Sequence, residues 1–409
     1  MQHAIPPDPS SAAQARMAQA VSSCVHCGFC LPACPTYRVL GEEMDAPRGR
    51  IVLMKEVLEG TLPLAGAAPH LDRCLGCLAC ETACPSGVRY RDLIEPMRAR
   101  LVDVRPRPAR RRLSLLLRVM ESPAFFRLAA IAGLAARPFA PMLPASTAAM
   151  LALLPDGLPA PRGLPAVTPA AGRRRGRVAL MTGCVQAVLR PETSAAAARV
   201  LAANGVEVVA PAGQGCCGAL ALHSGELARG AAMARRHLDR FPADVDAVVT
   251  TAAGCGSSLK DHHSGHGPPV ADVTEYLDRL GPSAPMRLVR PLRVAYQDAC
   301  HLAHAQQVTS APRRLLGAVE GLTLVPIAEA GVCCGSAGLY NIEQPSVADA
   351  LGRRKAAAVL ASGAEMAVTA NIGCLTQLQT ALARLGAGLE VRHLVELLDM
   401  ALPPHGRRQ

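Results

Sequence analysis

Cys24, Cys27, Cys30 and Cys34 follow the spacing C-x2-C-x2-C-x3-C and are followed by Pro35; Cys74, Cys77, Cys80 and Cys84 repeat it and end on Pro85. Thiolates are soft ligands, and thiols this dense point to metal or iron–sulfur chemistry. Disulfides are the competing use of cysteine. The opening "MQHAIPPDPSSAAQARMAQAVSS" has no basic segment leading into an apolar run, so no secretory signal is expected. Without export, the sixteen cysteines stay reduced and read as ligands, and the expected compartment is the cytoplasm.

The spacing has a mechanical meaning. Three thiolates two residues apart wrap one iron–sulfur cube, and the fourth, before proline, opens a helix and points away. In two-cluster ferredoxins that fourth cysteine serves the other cluster. The expected assignment is one [4Fe–4S] cluster on Cys24, Cys27, Cys30 and Cys84, and a second on Cys74, Cys77, Cys80 and Cys34. Paired zinc knuckles are the alternative, giving a metal-stabilised scaffold without redox role, but zinc gains nothing from a repeated trailing Cys-Pro. Between the motifs, "APRGRIVLMKEVLEGTL" sets Ile51, Met54 and Leu58 on one helical face, with Pro47 near its start and Gly60 at its end. A helical spacer suggests the α-helical ferredoxin form. His26 and Tyr37 read as packing groups beside the first cube rather than ligands.

The positions of the remaining cysteines require a different scaffold. Cys184, Cys216–Cys217–Gly218 and Cys255 recur as Cys300, Cys333–Cys334–Gly335 and Cys374. Apolar runs such as "RVALMTG" and "VDAVVTTAAG" precede them, with helical runs between, so each copy reads as a parallel sheet covered by helices. Each cysteine then falls beyond the carboxyl end of a strand, where open α/β sheets bind ligands. Four thiols converging on one crevice make a candidate metal or cluster site in each copy; buried structural cysteine is the alternative. "GQGCCG" at 213–218 satisfies G-x-G-x-x-G, but its middle residues are thiols, its twin "AGVCCG" lacks the first two glycines, and Asp239 precedes the next strand. No nicotinamide site is expected. His301, Asp298 and Asn371 read as packed or supporting polar groups.

The fold class is thus α+β and multidomain: an α-helical ferredoxin domain at 14–100, a basic, Pro/Ala-rich helical linker at 101–175, and Cys-Cys-Gly modules at 176–285 and 290–402. The linker, with "RPRPARRR" at its start, reads either as an amphipathic surface docking on a partner or on anionic lipid, or, preferred, as helical linkage packed between domains. No stretch of about 20 apolar residues escapes charge or proline, so no transmembrane helix is expected. The formal charge of +11 comes from 43 basic residues almost all arginine, in a chain rich in Ala, Gly and Pro; with aromatics at 2% and no Trp, it reads as a coding bias and not as a nucleic-acid surface.

Together "CVHCGFCLPACPTY", "APRGRI", "DRCLGCLACETACPSGVRY" and the two Cys-Cys-Gly modules resemble the iron–sulfur subunit of bacterial glycolate oxidase, over nearly the whole chain except around 105–175. The resemblance implies an electron-transfer subunit of an oxidoreductase complex. FAD would sit on partner subunits that oxidise glycolate to glyoxylate, also D-lactate, and the acceptor would be a membrane quinone. Equivalent subunits of anaerobic glycerol-3-phosphate or lactate dehydrogenases, and heterodisulfide reductases, share the architecture. In heterodisulfide reductases five cysteines per module hold a non-cubane cluster. Here Ser258 and Gln377 stand where the fifth thiol would be, leaving four thiols per module for a further cluster or metal.

Overall fold

The chain, described here by a computed structural model, is defined at residues 1–8, 10–263, 265 and 267–403. Helical periodicity builds its first third. Helix Pro47–Glu59 starts on proline after extended Ala46, buries Ile51, Met54 and Leu58, and stops where Gly60 takes a left-handed φ of 81°. It packs with helices Ala12–Ser22, Leu64–Asp72 and Arg91–Val104 around Met17, Leu71, Leu93 and Met97. Cys24 and Cys74 belong to this same buried cluster, so the core itself anchors one thiol of each motif.

Helices Arg107–Glu121, Pro123–Ala136 and Ala145–Ala152 follow, with a 3-10 turn at Arg137–Met142. The segment expected to be a helical linker is helical only this far. Leu113 and Leu117 pack against Leu339 and Ile342 of the distant second module, so these helices are a roof rather than a tether. Among the described residues no single helix is long and apolar enough to cross a membrane; helices 107–121 and 123–142 pass together by length and composition, but bend by 105°.

Two sheets complete the chain. The first contains β1 (Val167–Thr168), β2 (Gly176–Leu180), β3 (Val206–Val209), β4 (Ala247–Thr250) and β5 (Val270–Asp272), in the order β1-β3-β2-β4-β5. The second contains β6 (Arg287–Gln297), β7 (Glu320–Val325), β8 (Met366–Thr369) and β9 (Glu390–His393), in the order β7-β6-β8-β9. All pairs are parallel except the edge, where Val167 and Thr168 run antiparallel against Val209 and Val208. The modules are not separate cores. One buried cluster joins Val178, Leu180 and Val249 to Val294, Val368 and Leu398. Helix Pro191–Ala203 lies on helix Leu394–Ala401, where Arg199 makes a forked pair with Asp399 at 2.9 and 2.8 Å.

Helix Val273–Leu280 carries a complete capping box. The Asp272 carboxylate accepts from the Thr274 N–H at 2.8 Å, and Glu275 accepts from the Asp272 N–H at 3.2 Å. Asp272→Ala is expected to cost about 0.5–2 kcal/mol, read as a lower urea midpoint. Burial pushes this carboxyl up to about 6. The folded chain therefore holds the proton more tightly than the unfolded chain, whose value is about 4. The contribution to stability is present below that pH and is lost as pH rises through about 6, a slope that Asp272→Asn should remove.

Candidate cluster-binding sites

The first cradle forms where the helix Ala12–Ser22 ends. Cys24, Cys27 and Cys30 follow one another through a loop that turns on His26, at φ 57°, and Gly28, at φ 82°. The left-handed φ favours glycine at Gly28, and a side chain there would also crowd the ends of Arg48 and Leu31 at 3.0 Å. Arg48 ties the loop down, donating to the His26 carbonyl at 3.1 Å and to Glu43 at 2.7 Å. Cys84 closes the same cavity from the other motif, beside Pro85 and Val88. The Val88 N–H donates to the Cys84 sulfur at 3.4 Å. Cys27 is exposed, and Val25 and Phe29 beside it are each 63% exposed. Cys30 is half-buried, which pushes its thiol up to about 11.

The second cradle is more deeply buried: Cys34, Cys74 and Cys77 are buried and Cys80 is half-buried. Cys34, Cys74, Cys77 and Cys80 line one cavity, with Arg50 and Tyr90; Cys80 also reaches the first cavity. Cys34 opens helix Pro35–Leu40. Cys84 does not open one, because Gly87, at φ 66°, turns the chain before a helix can start. The Gly76 N–H donates to the Cys74 sulfur at 3.4 Å, and the Tyr90 hydroxyl approaches it at 3.8 Å. Arg50, 1% exposed, faces Asp45, also 1% exposed, at 3.6 Å, and places Nη1 3.9 Å from the Cys34 sulfur. Its Nε donates to the His70 carbonyl at 2.7 Å, and both Nη atoms donate to Thr36 Oγ1 at 3.1 Å. Burial alone raises the Cys74 thiol, but the Arg50 and Arg98 guanidinium groups outweigh it and hold Cys74 below the usual thiol range. Burial raises Cys77 and Cys80.

In each Cys-Cys-Gly module the sulfurs gather at the carboxyl ends of the strands. Cys184 lies 3.6 Å from Cys216, and Cys300 lies 3.9 Å from Cys333. Gly218, at φ 81°, and Gly335, at φ 92°, explain why glycine follows each pair. A Cβ would collide with the Gly230 carbonyl oxygen in one, where helix Leu227–Leu238 crosses, and approach that of Ala348 at 2.7 Å in the other, where helix Pro345–Ala361 crosses. "GQGCCG" is therefore a packing turn, and the helix after it, Ala219–His223, is a single short turn. The modules differ in which thiol ionises first. Donation from Cys184 and Cys217 lowers Cys216 to about 3, whereas in the second copy donation from Cys333 and Cys374 lowers Cys334. Among the described residues no three His, Cys, Asp or Glu side chains converge as the ligands of one bare ion; the thiols stand around cavities instead.

The positions predicted to lack a fifth thiol are filled by polar groups. Gln377 accepts from Asn341 at 2.7 Å and donates to the Ala348 carbonyl at 2.8 Å. Ser258 is buried, and its hydroxyl has no partner among the described residues. Asn371 donates to the Cys374 sulfur at 3.5 Å, and Asp298 makes a forked pair with Arg313 at 2.8 and 2.7 Å. His301 binds the Gly76 carbonyl at 3.2 Å and packs edge-on against His223, ring centroids 4.7 Å apart. That contact docks the second module on the second cradle, where Cys77, Cys300 and Cys333 share one buried cluster with Leu75 and Tyr340. Sequence reasoning missed Arg50 and His223. A basic residue inside the apolar stripe 47–58 was the signal for Arg50; His223 has none, since its place in the second copy is Tyr340.

Donor chemistry and setting fit iron–sulfur clusters: all-thiol cradles, backbone N–H groups facing sulfur, and buried cations offsetting thiolate charge. Comparison with known proteins agrees. A family model described as "4Fe-4S dicluster domain" matches residues 20–88, and one described as "Cysteine-rich domain" matches 178–260 and 294–379. Over 398 residues the chain is 36% identical to the "Glycolate oxidase iron-sulfur subunit" of Escherichia coli (strain K12), covering 93% of this chain and 94% of that one. It is 36% identical over 426 residues to the "Probable glycolate oxidase iron-sulfur subunit" of Bacillus subtilis (strain 168), at 94% of each. A fumarate reductase (CoM/CoB) component of Methanothermobacter marburgensis is 34% identical over 229 residues, covering 55% of this chain and 46% of that protein.

Proposed function

This chain belongs to the family of glycolate oxidase iron–sulfur subunits, and we propose that it carries electrons from a separate FAD subunit, where glycolate becomes glyoxylate, to an acceptor such as a quinone. Cys24, Cys27, Cys30 and Cys84 hold one [4Fe–4S] cluster, and Cys74, Cys77, Cys80 and Cys34 hold the other. Bound there, the clusters supply reversible one-electron uptake, which divides the hydride equivalent of a 2-hydroxy acid into single steps. The functional units follow 14–100, 176–285 and 290–402, with the helices of 107–152, inside the segment 101–175, as the roof.

The observation that supports this reading best is the ordering of thiols from surface to interior. Cys27 is exposed between apolar Val25 and Phe29, an edge suited to a docked partner. Cys80 borders both cradles, and Cys77 is buried against Cys300 of the second module. Arg50 and Arg98 hold the Cys74 thiol below its usual range, and Cys34, Cys74 and Cys77 of the second cradle are buried. The thiol quartets Cys184, Cys216, Cys217, Cys255 and Cys300, Cys333, Cys334, Cys374 hold a further cluster or metal.

Co-purification with the flavin partner tests the assignment. The anaerobic complex is expected to reduce a one-electron dye with glycolate; reduction with glycerol 3-phosphate and not with glycolate would refute the substrate. Iron and acid-labile sulfide should each reach about eight per chain from the two ferredoxin-type cubes alone, and colourless protein carrying only zinc would refute the relay.

A further inference from the structure

The two Cys-Cys-Gly modules repeat one contact with the helix that follows the cysteine pair. Helix Leu227–Leu238 crosses Gly218 at Gly230, and helix Pro345–Ala361 crosses Gly335 at Ala348. Seven residues further on, two turns along the same face, stand His237 and Lys355. Both are buried, at 2% and 3% exposure. Both reach a main-chain carbonyl just ahead of the cysteine pair. His237 Nδ1 pairs with the Gln214 carbonyl at 2.7 Å, and Lys355 Nζ donates to the carbonyls of Ala330, at 3.3 Å, and Glu329. The position is the same in the two copies, and the charge placed there is not.

In the first module the imidazole is neutral. Nδ1 faces an acceptor and so carries the ring proton, while Nε2 has no partner among the described residues. A second proton on Nε2 would be a buried donor with nothing to receive it, and burial pushes His237 below its ordinary value. Arg229, on the same helix, is engaged by two carboxylates, Glu121 of the roof and Glu226.

In the second module an ammonium takes the place of the imidazole. The Glu329 carboxylate does not neutralise it, because Arg354 holds that carboxylate at 2.7 and 2.5 Å and Arg38 binds it as well. Burial pushes Lys355 down, and the sulfurs of Cys334, Cys333 and Cys374 push it back. Thiolates that hold a bound group stay anionic, so the ammonium is their counter-charge. This module is also the one that meets the second cradle, through Cys77 packed with Cys300 and Cys333.

We propose that Lys355 makes the second module the more easily reduced of the pair, so that an electron leaving the second cradle settles there first. The inference rests on the thiol quartets holding iron–sulfur groups. A cation in a buried setting stabilises added negative charge. The second cradle is oxidised by one electron and the second module reduced by it, with no bond formed or broken; the reductant is the dihydroflavin of the partner subunit.

An anaerobic redox titration of the full-length chain, followed by low-temperature electron paramagnetic resonance, tests this. Cys255→Ser and Cys374→Ser assign the signals of the first and second module by removing them, and the second-module midpoint is expected above the first. Lys355→Met should lower the second-module midpoint by about 59 mV, a tenfold change in a one-electron equilibrium, and leave the first unmoved. Lys355→Arg, which keeps the charge, should hold the midpoint near its original value. His237→Lys should raise the first-module midpoint by about the same factor, and this variant decides the matter if Lys355→Met loses its iron. An unmoved midpoint in Lys355→Met or in His237→Lys, or an equal fall in Lys355→Arg, would overturn the role of the charge while the quartets keep their groups. If neither cysteine variant removes a signal and iron stays at about eight per chain, the inference falls together with the reading of the quartets, and the two ferredoxin-type cubes stand.

Discussion

Cys34→Ser is expected to strip about four irons from the chain, and those of the distant motif rather than its own, because one cube takes four thiolates. Cys34 sits with Cys74, Cys77 and Cys80 around one cavity, whereas its neighbours Cys24, Cys27 and Cys30 share another with Cys84. Ligands of one cluster act as a unit, so their losses do not add. Cys34→Ser combined with Cys77→Ser should therefore lose no more iron than either alone. Cys34→Ser combined with Cys27→Ser should lose about eight. Additive loss in the first pair, or none beyond the single variant in the second, would mean that each motif serves its own cluster.

Arg50→Met carries the next largest effect. The guanidinium is buried with Asp45 and held by Thr36 and the His70 carbonyl. Removing one partner leaves Asp45 a buried carboxylate with only His70 and Arg73 in reach. Such losses cost about 3–5 kcal/mol, visible in the urea midpoint. The same cation lies beside Cys34 and helps hold the Cys74 thiol below its usual range. Without it, adding an electron to the second cradle is less favourable, and the reduction potential there should become more negative. Arg50→Lys should restore part of the potential but not the stability, since a point charge cannot fork to two acceptors. An unchanged potential in both variants would show that the cation does not act on this cradle.

The sequence made legible whatever depends on local spacing. Cysteine positions two and three residues apart already describe how a loop wraps a cluster, and the stripe Ile51, Met54, Leu58 ending at Gly60 describes a helix. Duplicated strand–helix alternation likewise announced two sheets with thiols beyond their strand ends. Features that depend on distant packing were not legible. Nothing near Val178 or Leu398 shows that both modules share one core. The pairing of β1, two residues in a Pro-rich stretch, is set by the exposed edge of β3 rather than by its own composition. The helices at 107–152 looked like linkage because their apolar runs are interrupted by Arg118, Arg127 and Arg137, and only the cavity beneath explains the inner face.

The central claim is that this chain conducts electrons taken from a hydroxy acid, and low-temperature electron paramagnetic resonance of the anaerobic complex after adding glycolate tests it most directly. With no terminal acceptor present, the account predicts signals of reduced [4Fe–4S] clusters in this subunit, which disappear when a quinone is added. Bleaching of the partner's flavin by glycolate with no such signals would contradict it.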